Sequence, residues 1–189
     1  TNFAANRAIF SKGTSHPFPV LSLHINTSGQ LVFKVATTTD TYGTTTGSLT
    51  ANTWQHIAVV FDGYGATNAD RCKVYINGQI QTLTFNGTFP SVTDINSSSL
   101  FLGKYINATY SNFLGSMDNF RVWNRAKSCD TVNQLRSCEI TSTAVDLVRN
   151  YKFNQGSAGG TNTGVTSLTD ATGTTNGTLT GFSLTGTTS

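Results

Sequence analysis

Asp118, at the head of "DNFRVWN", is the residue whose type and position most invite chemistry. Side chains of an extended strand alternate between two faces. Asp118 therefore shares a face with Phe120 and Val122, while Asn119, Arg121 and Trp123 share the other. With Phe120 and Val122 facing a core, Asp118 points inward, and a buried carboxylate must be hydrogen-bonded, neutralised or metal-bound. Two uses stay open. Asp118 either ligates a hard cation together with main-chain carbonyls or caps backbone N–H groups of the preceding turn. Asp62, Asn68 and Asp70 in "FDGYGATNAD" form a second, weaker cation candidate, since Asx residues shape turns without any metal.

Catalysis has little to build on. Hydrolysis of a glycosidic bond needs two carboxylates flanking it, and the chain holds a single glutamate, Glu139. Its aspartates are dispersed, with no two at i, i+2 or i, i+4 on an expected strand. His16, His24 and His56 lie apart, and no Ser or Cys sits in a nucleophile motif, so triads and zinc sites lack support. His56, on an apolar strand, reads as a core residue. The expectation is a protein that is not an enzyme.

Cys129 and Cys138 bracket the one helical segment, "SCDTVNQL" with Ser128 as N-cap, and Cys72 sits in a strand. Outside a cell the bracketing pair is expected to form a disulfide, leaving Cys72 a buried free thiol. Nine residues of unbroken helix would hold the two Cα atoms about 13 Å apart, and a bridge needs about 4.4–6.8 Å. The helix must then end by Leu135 and the chain must turn back.

The elements that would position these groups are strands. "AIFSKG", "VLSLHINTSGQLVFKV" with a turn at Gly29, "WQHIAVVFDG", "KVYINGQIQTLTF", "SLFLGK" and "NFRVWN" recur at hairpin spacing. Asn77-Gly78 supplies the two positive-φ residues of a type I′ turn. "IAVVF", apolar on both faces, is expected to be a central strand, with Trp54 at its start read as a core plug rather than a sugar platform. The pattern predicts an all-β fold, an antiparallel β-sandwich or jelly roll, with one short helix near 128–136.

Charged residues make up only 11% of the 189, the net charge is +3, and no basic run occurs. That balance argues against nucleic-acid binding and for a neutral, hydrogen-bonding surface of extracellular type. No apolar stretch approaches the ~20 residues of a membrane span. The chain does not begin with Met, and residue 1 reads as a boundary inside a longer protein.

"TWQHIAVVFDG", "CKVYINGQ", "LFLGKY" and "FLGSMDNFRVWNRAKS", in that order and spacing, resemble the laminin G-like branch of the concanavalin A-like lectin/glucanase jelly rolls, over residues 7–140. The resemblance implies a laminin G-like domain over 1–145 that lacks its first strands. Residues 146–189 then form a Thr/Gly-rich tail like that following such domains in large secreted bacterial surface proteins. In that tail "LVRNYKF" is the segment expected to close an open edge. The resemblance also implies structural Ca²⁺ at Asp118. It further implies a non-catalytic carbohydrate-binding or adhesive module at the cell surface, with Tyr42, Tyr64, Tyr105 and Tyr110 as sugar-stacking residues. The alternative is a spacer or filament subunit whose partner is another surface protein, as part of a longer chain or assembly.

Overall fold

The computed structural model describes residues 3–14, 20–93, 97–107, 109–157 and 159–181. His16 and the last residues of the tail lie outside them. The strands in chain order are β1 (Arg7–Gly13), β2 (Val20–Ile25), β3 (Gln30–Ala36), β4 (Tyr42–Ser48), β5 (Ile57–Phe61), β6 (Cys72–Ile76), β7 (Gln79–Ile80) and β8 (Leu83–Asn86). They continue as β9 (Leu100–Leu102), β10 (Ser111–Asn112), β11 (Phe120–Trp123), β12 (Leu147–Tyr151), β13 (Ser167–Leu168) and β14 (Gly177–Thr178). Two short helices, α1 (Asn68–Arg71) and α2 (Cys129–Leu135), complete the described residues. The fold is a mostly antiparallel β-sandwich, as the strand pattern predicts. It divides into two compact units, residues 1–115 with 127–137, and residues 116–126 with 138–189.

The first unit carries a seven-stranded sheet ordered β10-β1-β2-β3-β4-β8, in which β9 also pairs with β1. The β2–β3 hairpin forms because Asn26 organises its turn: its Oδ1 accepts the N–H groups of Ser28 and Gln30 at 2.9 and 3.0 Å, and Gly29 supplies a φ of 77°. Alternation then sorts the sheet into two faces. Phe10, Leu23, Ile25, Leu31, Phe33 and Val35 are buried on one, where Phe89 stacks on Phe33 with centroids 6.4 Å apart. The other face holds Ser11, Ser22, His24 and Lys34, cross-strand partners or neighbours in register. A register shift between Ala8 and Phe10 sets these two residues, which plain alternation would put on one face, on opposite faces, Ala8 beside His24 and Phe10 beside Leu23.

A three-stranded sheet, β5-β6-β7, belongs to the same unit. Asn77 and Gly78 have φ of 52° and 79°, the I′ geometry expected of that dipeptide. The run that follows does not stay in one sheet. β7 pairs with β6, and β8 leaves to pair with β4. Helix α2 contributes Val132 to a cluster with Val60 and Tyr75, and its N-cap is Ser128, whose Oγ accepts from the Thr131 N–H at 3.2 Å. Helix α1 lies where the sequence reads as plain loop. Thr67 and Asp70 cap each other reciprocally there, a four-residue signature visible in "TNAD".

Two expectations fail in this sheet. β5 is not central: it pairs only with β6 among the described residues, because no described strand lies beyond it. Trp54 is no core plug, being 68% exposed. Its loop is held outward by Gln55, whose side chain accepts from the Thr50 N–H at 3.3 Å and donates to the Thr50 carbonyl at 2.9 Å.

In the second unit β11 pairs antiparallel with β12, the strand of "LVRNYKF", and β13 pairs with β14. Asp170 organises this unit. Its buried carboxylate accepts from the backbone N–H groups of Asn150 and Thr172, each at 3.0 Å, and from the Thr172 hydroxyl at 2.8 Å. No described helix is long and apolar enough to cross a membrane.

A tyrosine-lined polar face as candidate functional site

The polar face of the large sheet begins with a lysine in an otherwise apolar strand. Lys34 on β3 is only 3% exposed, and such a charge must be paired. Its partner is Asp40, in the β3–β4 turn, whose side chain is 48% exposed and forms an ion pair with the Lys34 ammonium. The Asp40 carbonyl accepts from Asn86 Nδ2 at 2.6 Å, and Val35 N–H donates to the Thr41 carbonyl at 3.2 Å. The turn, and with it the carboxylate, is thereby fixed.

Three tyrosines gather around this pair. Tyr42 on β4 stands in register with Lys34 and is half-buried. Tyr105 and Tyr110 come from the β9–β10 loop, which Ser11 anchors by donating from Oγ to the Lys104 carbonyl at 2.9 Å. Tyr110, half-buried, packs on buried His24 with centroids 4.3 Å apart and on Tyr105 at 4.4 Å. Burial raises the pKa of the Tyr110 phenol, and the nearby Asp40 charge and Tyr42 add to the shift. Tyr105 is fully buried beneath Ala8 and Ala36, and burial, reinforced by Tyr110, pushes its phenol up to about 12. A ring with no exposure cannot stack on a sugar, so Tyr105 is the floor of the site and not a contact residue. Tyr64, the fourth of the set, is fully exposed in the β5–α1 loop, its N–H donating to Asp62 Oδ1 at 3.1 Å. It does not belong to this face. His24, Lys34 and Asp40 escape a reading by motif, although a lone Lys in "QLVFKVA" with an Asp six residues on is a visible signal.

The other sequence candidates are occupied separately. Asp62 holds the Tyr64 N–H. Asp70 Oδ2 accepts from the Thr67 N–H and hydroxyl at 3.0 and 2.7 Å, which together lower the Asp70 pKa. Asn68 Oδ1 accepts from the Phe89 N–H at 2.8 Å and its Nδ2 donates to the Gly87 carbonyl at 2.8 Å. Asp118 is exposed rather than inward. Asn119 has a φ of 52°, so the strand begins only at Phe120 and the alternation does not reach back to Asp118. The Asp118 carboxylate accepts from Asn119 Nδ2 at 3.0 Å, and the Arg121 guanidinium, whose pKa is lowered by burial and partly restored by Glu139 and Asp118, lies nearby. Among the described residues no three His, Cys, Asp or Glu side chains gather as a metal site.

The expected Cys129–Cys138 bridge is not formed: all three cysteines are free, Cys72 buried and the other two exposed. Helix α2 does end at Leu135, with Arg136 as its C-cap, but the two thiols are not joined.

Chemically the polar face offers a paired, half-exposed carboxylate that can accept hydroxyl protons, two half-exposed phenol rings and a buried cation. Asp40 is the one carboxylate that the strands of this face and their turns contribute among the described residues.

A candidate carbohydrate-binding protein from Bacteroides ovatus has a similar fold, with a TM-score of 0.63 at 21% identity over 94% of this chain and 52% of that one. The chain thus spans about half the length of that protein. An S-layer domain-containing protein from Clostridium thermocellum is 22% identical over 72% of this chain and 65% of its own, with a TM-score of 0.37. No curated protein matches. Residues 1–133 match the family model Laminin_G_3, and the chain belongs to the concanavalin A-like lectin/glucanases superfamily.

Proposed function

We propose that this chain is a non-catalytic carbohydrate-binding module of a secreted surface protein, with an adhesive role. The observation that carries the reading is the half-exposed Asp40 carboxylate, held by Lys34 and placed beside the half-exposed rings of Tyr42 and Tyr110. Sugar recognition uses both kinds of group: a carboxylate accepts from ring hydroxyls with charge-assisted strength, and a phenol ring packs on the apolar face of a pyranose. Membership of this superfamily and the likeness to a candidate carbohydrate-binding protein of Bacteroides ovatus support the ligand class. The low charge content supports an extracellular setting.

The non-catalytic reading is supported by Glu139, the sole glutamate, which is exposed and pairs with Lys152 at 2.9 Å, and by Asp40's standing as the one carboxylate of its face among the described residues. The test is a glycan array on the full chain, followed by calorimetric titration of any hit. Asp40→Asn and Tyr110→Ala are expected to lose binding while keeping the native circular dichroism spectrum, and Tyr64→Ala is expected to keep it. Glycan binding that survives both of the first two substitutions would place the ligand elsewhere. A wild-type chain that retains no glycan sinks the reading.

A further inference from the structure

Strands β4 and β8 carry a strip of hydroxyls that leads away from the polar site. Their register sets Tyr42 opposite Asn86 and Thr44 opposite Thr84. The Thr46 N–H donates to the Thr82 carbonyl at 3.0 Å, which continues the pairing by one more row. Residues opposite each other on paired strands point their side chains to the same side. Tyr42 stands beside Lys34, and Thr44 beside Val32, the register partner of His24, so that side is the polar face. The intervening residues turn to the other face, where Thr45 is fully buried and Phe85 packs edge-on against Phe89 at 5.8 Å. Thr46, Thr82, Thr84 and Asn86 are exposed, and Tyr42 and Thr44 are half-buried.

These side chains are uncommitted. Other threonines are put to internal use: Thr45 Oγ1 accepts from the Leu31 N–H at 3.0 Å and donates to the Gly47 carbonyl at 2.6 Å, and the Thr172 hydroxyl donates to Asp170 at 2.8 Å. The hydroxyls of Tyr42, Thr44, Thr46, Thr82 and Thr84 engage no other group among the described residues. Asn86 gives its Nδ2 to the Asp40 carbonyl at 2.6 Å, which ties the strip to the Asp40 turn, and keeps its Oδ1 open as an acceptor.

Dimensions and chemistry indicate what such a strip holds. Residues two apart on a strand lie about 6.8 Å apart and neighbouring strands about 4.8 Å, so three rows span roughly 14 Å by 5 Å. That is the footprint of several linked sugar rings laid along the strands, not of one. Each threonine sets a methyl beside a hydroxyl that can donate and accept, which matches the C–H and O–H groups along the edge of a sugar ring. No charged side chain stands on the strip. An acidic or amino sugar would lose hydration there without gaining a partner, whereas a neutral one exchanges hydroxyl hydrogen bonds.

We propose that the strip extends the polar site into a platform for a linear, neutral oligosaccharide. One unit rests on Tyr42 and Tyr110 beside Asp40, and the following units run along β4 and β8 over the threonines. The proposal rests on the carbohydrate reading and adds the form of the ligand, a neutral chain bound lengthwise.

The test is a glycan array of the full chain. It carries cello-, xylo- and manno-oligosaccharides and other neutral linear series of one to three units, beside branched, uronic-acid, sialylated and amino-sugar glycans. Calorimetric titration of each retained series follows, on the wild type and on the double variant Thr46→Val/Thr84→Val. Valine keeps the branched shape and strand preference of threonine and removes the hydroxyl. The wild type is expected to retain neutral linear glycans and to bind a trisaccharide at least about tenfold more tightly than its monosaccharide. The variant is expected to lose about fivefold in trisaccharide affinity for each hydroxyl removed, with monosaccharide binding unchanged. The wild-type dependence on length decides the matter alone should the variant fail to fold. Retention of charged or branched glycans only, affinity flat in chain length, or a folded variant with wild-type trisaccharide affinity overturns the strip and leaves the Asp40 site standing. A chain that retains no glycan removes both, through the carbohydrate reading itself.

Discussion

Tyr105 and Tyr110 stand with ring centroids 4.4 Å apart at an interplanar angle of 56°, yet the first is fully buried and the second reaches solvent. Their roles divide accordingly. Tyr105→Ala empties a filled site under Ala8 and Ala36 and is expected to cost about 3–5 kcal/mol, read as a fall in melting temperature. Tyr110→Ala is expected to cost less stability and more glycan affinity. Calorimetric titration beside thermal melting separates the two, and equal effects on both readouts would dissolve the distinction.

Asp170 couples the second unit to pH. Burial alone would raise its pKa, but the hydrogen bonds from Asn150, Thr172 and Thr175 outweigh it and hold the carboxylate below its ordinary range. A depressed folded-state pKa contributes stability that is present above the unfolded value of about 3.9 and is lost as pH falls through the folded value. Asp170→Ala leaves those donors unpaired and is expected to cost on the order of 3 kcal/mol at neutral pH. Its acid-unfolding curve should also be flatter than the wild type's. A variant with the wild-type acid profile would show that Asp170 is not the titrating group.

Thiol chemistry follows from burial. Cys72 is buried, which pushes its thiol up to about 12 against a small opposing effect of Lys73. A thiol reagent is therefore expected to modify Cys129 and Cys138 in the native protein and Cys72 only after denaturation, three in all without a reductant. One free thiol under denaturing, non-reducing conditions would restore the disulfide.

Chelation gives the simplest test of the acidic residues. With Asp118 exposed beside Asn119 and Arg121, EDTA is expected to leave the melting temperature unchanged, and Asp118→Ala to behave alike with and without it. A melting temperature that drops on chelation, and no longer does so in Asp118→Ala, would place a calcium ion there.

Local grammar alone determined much of this protein. Asn77-Gly78 could adopt its two positive-φ conformations wherever it lay, Ser128 could cap α2 from its own side chain, and period-2 alternation marked the β1, β2 and β3 segments as strands. Each of these depends on residues a few positions apart. What alternation cannot tell is which face is covered, or by what. Trp54 looked like core because "IAVVF" is apolar on both sides, but only the strand order shows that β5 has a single described neighbour. The inward reading of Asp118 failed on one backbone angle at Asn119, set by context and not by residue type. The polar face depended on distance along the chain: Ser11 reaches Lys104 across 93 residues, and His24 meets Tyr110 only because that loop folds back. Tyrosine content could nominate Tyr42, Tyr105 and Tyr110. The tertiary structure alone decided that they converge on Lys34 and Asp40, because register sets Tyr42 beside Lys34 while Tyr105 and Tyr110 arrive on a loop distant in sequence.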